Sequence, residues 1–132
     1  MRLVTAAAAI VAALALPTAA DAATSYVNPS SSNGAYVVKS GSTLQRFEIF
    51  CKATKSSDEF FDREFAFSLR EVVTLKKKGK FTYSGKAYRY GTEHQPREIH
   101  SVKLSGRVTS TAVRVKWSLP GCGSGSVTAP RQ

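Results

Sequence analysis

Acid is scarce in this chain: nine Asp and Glu stand against nineteen Lys and Arg, for a net charge of +10. That imbalance says nothing about fold, but it favours anionic polymers, acidic proteins, cell-wall components or anionic surfaces as partners. Cysteine is scarcer still, with Cys51 and Cys122 alone. There is no C-x-x-C, and neither cysteine stands at zinc spacing from His94 or His100, so no metal is expected. No G-x-S-x-G, H-E-x-x-H or phosphate-cradling glycine run occurs, and no cofactor is implied. Long apolar runs are missing too. Residues 3–16 give about 14 apolar positions, short of the roughly 20 that cross a bilayer, and no basic stop-transfer cluster follows, so no stable membrane anchor is expected.

What that short run does resemble is the core of a secretory signal. Arg2 supplies a positive start, Pro17 breaks the apolar segment, and Ala20-Asp21-Ala22 satisfies the small-x-small cleavage pattern. Cleavage after Ala22 is expected, with Thr18-Ala19-Ala20 as the next-best match, and no lipobox cysteine follows. The expected organisation is a signal peptide at 1–22, a flexible leader rich in Ser, Asn, Gly and Pro at 23–34, and one β domain at 35–130. The protein is expected to be secreted or to act at the cell envelope. In an exported chain two lone cysteines usually pair. A Cys51–Cys122 bridge would close a loop of about 70 residues, worth about 4 kcal/mol in the chain-entropy model. It would also consume both thiols and so exclude a cysteine nucleophile.

Period-two alternation recurs along the remainder, the pattern of strands with one buried face. In "LQRFEIFCKA" Phe47, Ile49 and Cys51 share a face opposite Arg46, Glu48 and Lys52, with Phe50 as the exception. Phe65, Phe67 and Leu69 alternate next, a turn falls at Lys78-Gly79, and Phe81 and Tyr83 resume the inward face. Residues 58–72 also fit a helix through Phe61, Phe65, Leu69 and Val72, although Phe60, Phe67 and Val73 would then leave its apolar stripe. Val102, Leu104, Gly106 and Val108, then Val113, Val115 and Trp117, read as strand, turn, strand. Val127–Ala129 reads as a short edge strand halted by Pro130. About six to eight short strands and frequent turns predict an all-β antiparallel sandwich or small barrel-like domain.

"GKFTYSG" at 79–85, "LSGRVTSTAVRVKW" at 104–117 and "CGSGSVTAPR" at 122–131 resemble the hairpin grammar of small exported β domains of unknown function from high-GC bacteria. The resemblance covers most of residues 47–131. It implies a sandwich-like β fold with one cysteine bridge, and it carries no activity.

Four constellations bear on function. Lys76, Lys77, Lys78, Lys80, Lys86, Arg89, Lys103, Arg107, Arg114 and Lys116 mostly occupy outward strand positions, so adjacent hairpins would share one basic face; a polyanion-binding surface and a merely solvated face both fit this pattern. Tyr88 and Tyr90 share the phase of Lys86 and flank Arg89, whereas Phe81 and Tyr83 fall inward; with Phe60 and Phe61, these tyrosines would matter more than charge if the chain were an interaction or scaffold module. Glu93, His94, Arg97, Glu98 and His100 are the residue types of a small ribonuclease or phosphodiesterase. Crowded into one short run, they lack the opposed placement across a substrate that acid–base work needs. Asp58, Asp62 and Glu64 suggest a calcium loop without its required order. The expectation is therefore a non-enzymatic β domain.

Overall fold

The structure is a computed structural model that describes residues 22–53, 64–90 and 97–132. The expected signal peptide, apart from Ala22, lies outside the described residues, as do Asp58, Phe60, Phe61, Asp62, Glu93 and His94. The chain forms β1 (Thr24–Asn28), β2 (Asn33–Ser40), β3 (Thr43–Lys52), β4 (Glu64–Leu69), β5 (Val73–Thr74), a 3-10 turn at Lys77–Gly79, β6 (Lys80–Tyr90), β7 (Glu98–Val108), β8 (Ala112–Leu119) and β9 (Gly123–Pro130). Eight of these strands follow one another as an antiparallel meander in the order β1-β2-β3-β4-β6-β7-β8-β9, and β5 pairs with the start of β3. The sheet curls into a nearly closed barrel. Tyr26 bridges Arg131, and the Gln132 amide donates to the Ser25 carbonyl at 2.9 Å. The Asn28 and Asn33 side-chain amides reach across to the Thr128 and Ser126 carbonyls at 2.9 and 3.0 Å. Of the two expected architectures, the barrel is the one formed. Among the described residues no helix is long and apolar enough to cross a membrane.

Two expectations require correction. Residues 23–34 are not a flexible leader: Thr24–Asn28 is a full strand paired to β2, and Tyr26 is buried inside the barrel. The stretch read as loop-like because it is rich in Ser, Asn, Gly and Pro, which favour turns in isolation. Here it is satisfied by the β1–β2 ladder and by bonds to β9. Nor is the last strand confined to 127–129. It runs over eight residues, Gly123–Pro130, pairs with β8, lies at the end of the strand order and stops at Pro130 as expected; just past it, Arg131 bridges Tyr26 of β1. The helix weighed for 58–72 does not occur where that stretch is described, since 64–69 is strand with Phe65 and Phe67 turned inward.

Alternation decides what fills the barrel. Leu44, Phe47, Ile49, Phe67, Phe81, Val102, Val115 and Trp117 all lie inside. Phe47 and Phe81 meet edge to face with centroids 5.6 Å apart. An eight-stranded barrel is just wide enough for its own side chains. Tyr83 also sits inside, donating its hydroxyl to the Lys86 carbonyl at 2.5 Å; burial, then the nearby Glu71 charge, raises its pKa above the ordinary tyrosine value. Two irregularities in the sequence pattern have local causes. Leu44 and Phe47 both point inward because a bulge at Val38/Lys39 shifts the β2–β3 register and leaves Gln45 and Arg46 both exposed. Phe50 is outward but packs over Gly34, its cross-strand partner.

The Cys51–Cys122 disulfide joins the end of β3 to the β8–β9 turn, with Cα atoms 6.1 Å apart. Both cysteines are buried, and no free cysteine occurs among the described residues.

Candidate functional site

The outer wall of β6–β9 is built by register. Lys80, Arg107, Arg114 and Thr128 stand abreast on four neighbouring strands. Thr82, Ser105, Lys116 and Ser126 form the next row, and Ser84, Lys103, Ser118 and Ser124 the one after. Lys86 and Ser101 continue it on β6 and β7. Neighbouring strands lie about 4.8 Å apart, and successive outward residues on one strand about 6.6 Å apart. Six cations and eight hydroxyls thus tile one wall, and these rows contain no carboxylate.

The first two rows border a shallow cleft of about 680 Å3, which Lys76 also lines. Gly106 forms part of its floor. A Cβ there would come within 2.0 Å of the Arg114 carbonyl and 2.7 Å of the Phe81 ring, so only glycine lets β8 and that ring approach so closely. The cleft's rim is tied to the preceding turn: the Arg107 Nε donates to the Lys78 carbonyl at 3.0 Å, and Lys76 Nζ reaches Thr82 Oγ1 at 3.4 Å. Lys78 itself holds a left-handed φ of 62°, followed by Gly79 at 75°. This pair reverses the chain into β6. Lys86 Nζ donates to Ser101 Oγ at 2.9 Å. Among the described residues, Lys80, Lys103, Arg114 and Lys116 make no ion pair and remain available to a ligand's charge.

The structure therefore gathers Lys76, Lys80, Arg107, Arg114 and Lys116 around one cleft and places Lys103 and Lys86 further along the same wall. Lys77 and Lys78 sit on the adjoining 3-10 turn. Arg89 does not belong to this face. It shares the inward parity of Phe81 and Ala87 and lies at the disulfide end of the barrel, its guanidinium 4.4 Å from the Phe65 ring. There it donates to the Pro120 carbonyl at 3.3 Å and pairs with Glu98. Glu98 also meets His100 at 3.0 Å. These two partners, His100 first and Arg89 second, hold the Glu98 carboxyl below its ordinary pKa.

This geometry also bears on the acid–base set. Glu98 and His100 point toward the barrel end, whereas Arg97 leaves them and stacks 4.2 Å from the Tyr88 ring on the outer wall. The described members of that set therefore face two different sides. No group of three potential metal ligands gathers among the described residues. Sequence reasoning missed the hydroxyls of Thr82, Ser105, Ser126 and Thr128 as cleft components. The signal was present, since Ser and Thr occupy nearly every outward position that a cation does not. Compared with family models, with curated proteins and with solved structures, the chain matches none.

Proposed function

We propose that the protein is an exported, non-enzymatic β-barrel that binds polyanions on the outer wall of β6–β9. The observation that carries this reading is the cleft bordered by Lys76, Lys80, Arg107, Arg114 and Lys116 among serine and threonine hydroxyls. Cations stand there at strand spacing with no carboxylate in their rows to neutralise them. Lysine and arginine supply charge to a phosphate or sulfate chain, and hydroxyls and rigid backbone fix its position. The disulfide and the signal-like start of the sequence support a place outside the cytoplasm.

The test is retention of the barrel on heparin across a salt gradient, beside a variant carrying Lys76→Gln, Lys80→Gln, Arg114→Gln and Lys116→Gln. Arg107 is left intact because it holds the Lys78 turn. Contact with about six phosphates predicts a log–log salt slope near −5 on duplex nucleic acid, and removing four contacts flattens it by about 3 to 4. The wild type is expected to elute at clearly higher salt than the variant. Elution of both at the same low salt overturns the proposal.

A further inference from the structure

The basic wall does not end at Lys86. Along β6 the next outward residues are Tyr88 and Tyr90, whose rings lie 6.5 Å apart, and Ile99 stands directly across from Tyr88 on β7. Among the described residues only three large apolar or aromatic side chains are exposed: Val72, Tyr90 at 39% and Ile99 at 52%. Two of the three are in this one patch. Guanidinium groups lie over the half-buried Tyr88 ring, Arg97 at 4.2 Å and Arg70 at 5.2 Å from its centroid. The strand carrying both features has eleven residues, so cleft and tyrosines lie along one wall about 33 Å long.

We infer that the anionic polymer is single-stranded nucleic acid, its backbone following the cations from the cleft to Lys86 and its bases stacking on the Tyr88–Tyr90 platform. The inference rests on the polyanion reading and narrows it. A sulfated polysaccharide or a polyphosphate brings charge but no flat unsaturated ring to cover exposed tyrosine. A duplex brings rings that are already stacked on one another, out of reach of a barrel wall. A single strand brings both phosphates and free base faces, and it is the ligand for which aromatic and basic groups are needed on the same exposed surface. The guanidinium groups over Tyr88 continue the surface of Tyr90 and offer a base cation–π attraction and a flat group to stack on. Tyr83 and Phe81, on the same strand, cannot take part because they point into the core.

The experiment measures binding of a labelled thymidine oligonucleotide about 12 nucleotides long, alongside a duplex of equal phosphate count and the heparin column. The proteins are the wild type, Tyr88→Ala/Tyr90→Ala and Tyr88→Phe/Tyr90→Phe. Wild type is expected to prefer the single strand over the duplex by at least about tenfold. The alanine pair should weaken single-strand binding about 10- to 100-fold, the loss expected for one to two stacked bases, and leave heparin elution in place. The phenylalanine pair should bind as the wild type does. Should the alanine pair fail to fold, Tyr88→Leu/Tyr90→Leu, which keeps apolar bulk on the strand, is read in its place against the same expectation. Equal affinity for single strand and duplex, with loss below about threefold in the alanine or leucine pair, overturns the stacking inference but leaves the polyanion reading intact if heparin still retains the wild type. Heparin elution of the wild type at the low salt of the glutamine variant overturns both.

Discussion

Removing the disulfide should cost the barrel most of its margin while leaving its architecture in place. The perturbation is Cys51→Ala with Cys122→Ala. Cys51 sits at the end of β3, which is paired on both sides by β2 and β4. Cys122 lies in a turn closed by its own amide donating to the Leu119 carbonyl at 3.0 Å. Neither segment depends on the bridge for its native hydrogen bonds, so the effect falls chiefly on the unfolded chain. The bridge spans a sequence separation of 71, for which loop-closure entropy gives about 4 kcal/mol. Against a total of about 5–15 kcal/mol for a domain of this size, that loss lowers the melting temperature by about 20 °C. Calorimetry and urea unfolding read it, and the urea m-value should rise because the unfolded chain is released from its cross-link. A native circular-dichroism spectrum with a melting point within about 5 °C of wild type and an unchanged m-value would refute the reasoning.

Two further outcomes test other parts of the structure. Gly106→Ala puts a Cβ 2.0 Å from a backbone carbonyl that cannot swing aside; the expected cost is about 1–3 kcal/mol in urea unfolding, and a midpoint equal to wild type would show that β8 has room at Arg114. Glu98, with its pKa lowered by His100 and Arg89, contributes stability that is complete above the ordinary glutamate value near about 4.3 and drains as pH falls through its lowered value. Wild type should therefore lose more stability between about pH 7 and pH 3 than Glu98→Gln does, and parallel pH profiles for the two proteins would contradict that sign.

Much of the barrel was legible because a strand with one buried face writes its phase into every second residue. Phe81 and Tyr83, Val102 to Val108, and Val113 to Trp117 all point where their parity places them. The two cysteines were equally readable, since a chain with only two of them leaves no choice of connectivity. Barrel closure was not legible. It depends on β1 and the start of β2 meeting β9 about a hundred residues away, through Asn28 and Asn33, which look like turn residues until the opposing carbonyls are in place. Arg89 was miscounted by sign. Its parity with Phe81 and Ala87 placed it inward, but its charge grouped it with the outward lysines. The cleft hydroxyls had the reverse problem, because serine and threonine carry no distinguishing charge and acquire meaning only when register sets them beside Arg107, Arg114 and Lys116.

The distribution of charge around the barrel is the strongest ground for assigning it a task. Phenylalanine, tyrosine and tryptophan occupy the interior of this narrow barrel, so a polymer must dock outside. A wall that served solubility alone would mix both signs around its circumference. On β3 and β4 it does so: Arg46 pairs with Glu48 at 3.2 Å and also lies 4.8 Å from the Tyr36 ring, while Glu64 stands across from Lys52. On β6–β9 the mixing stops. Every charged side chain in the outward rows from Lys80 to Lys86 and across to Lys116 is a cation, and Glu98, the one carboxylate these strands carry, faces the barrel end where Arg89 and His100 hold it. Packed cations of one sign repel one another, and their mutual repulsion is relieved when an anionic polymer lies across them and releases its own counterions. A one-sided field of this kind steers a polyanion to one wall, and on that wall the cleft over Gly106 is bordered by Lys80, Arg107, Arg114 and Lys116, with Lys76 at its rim.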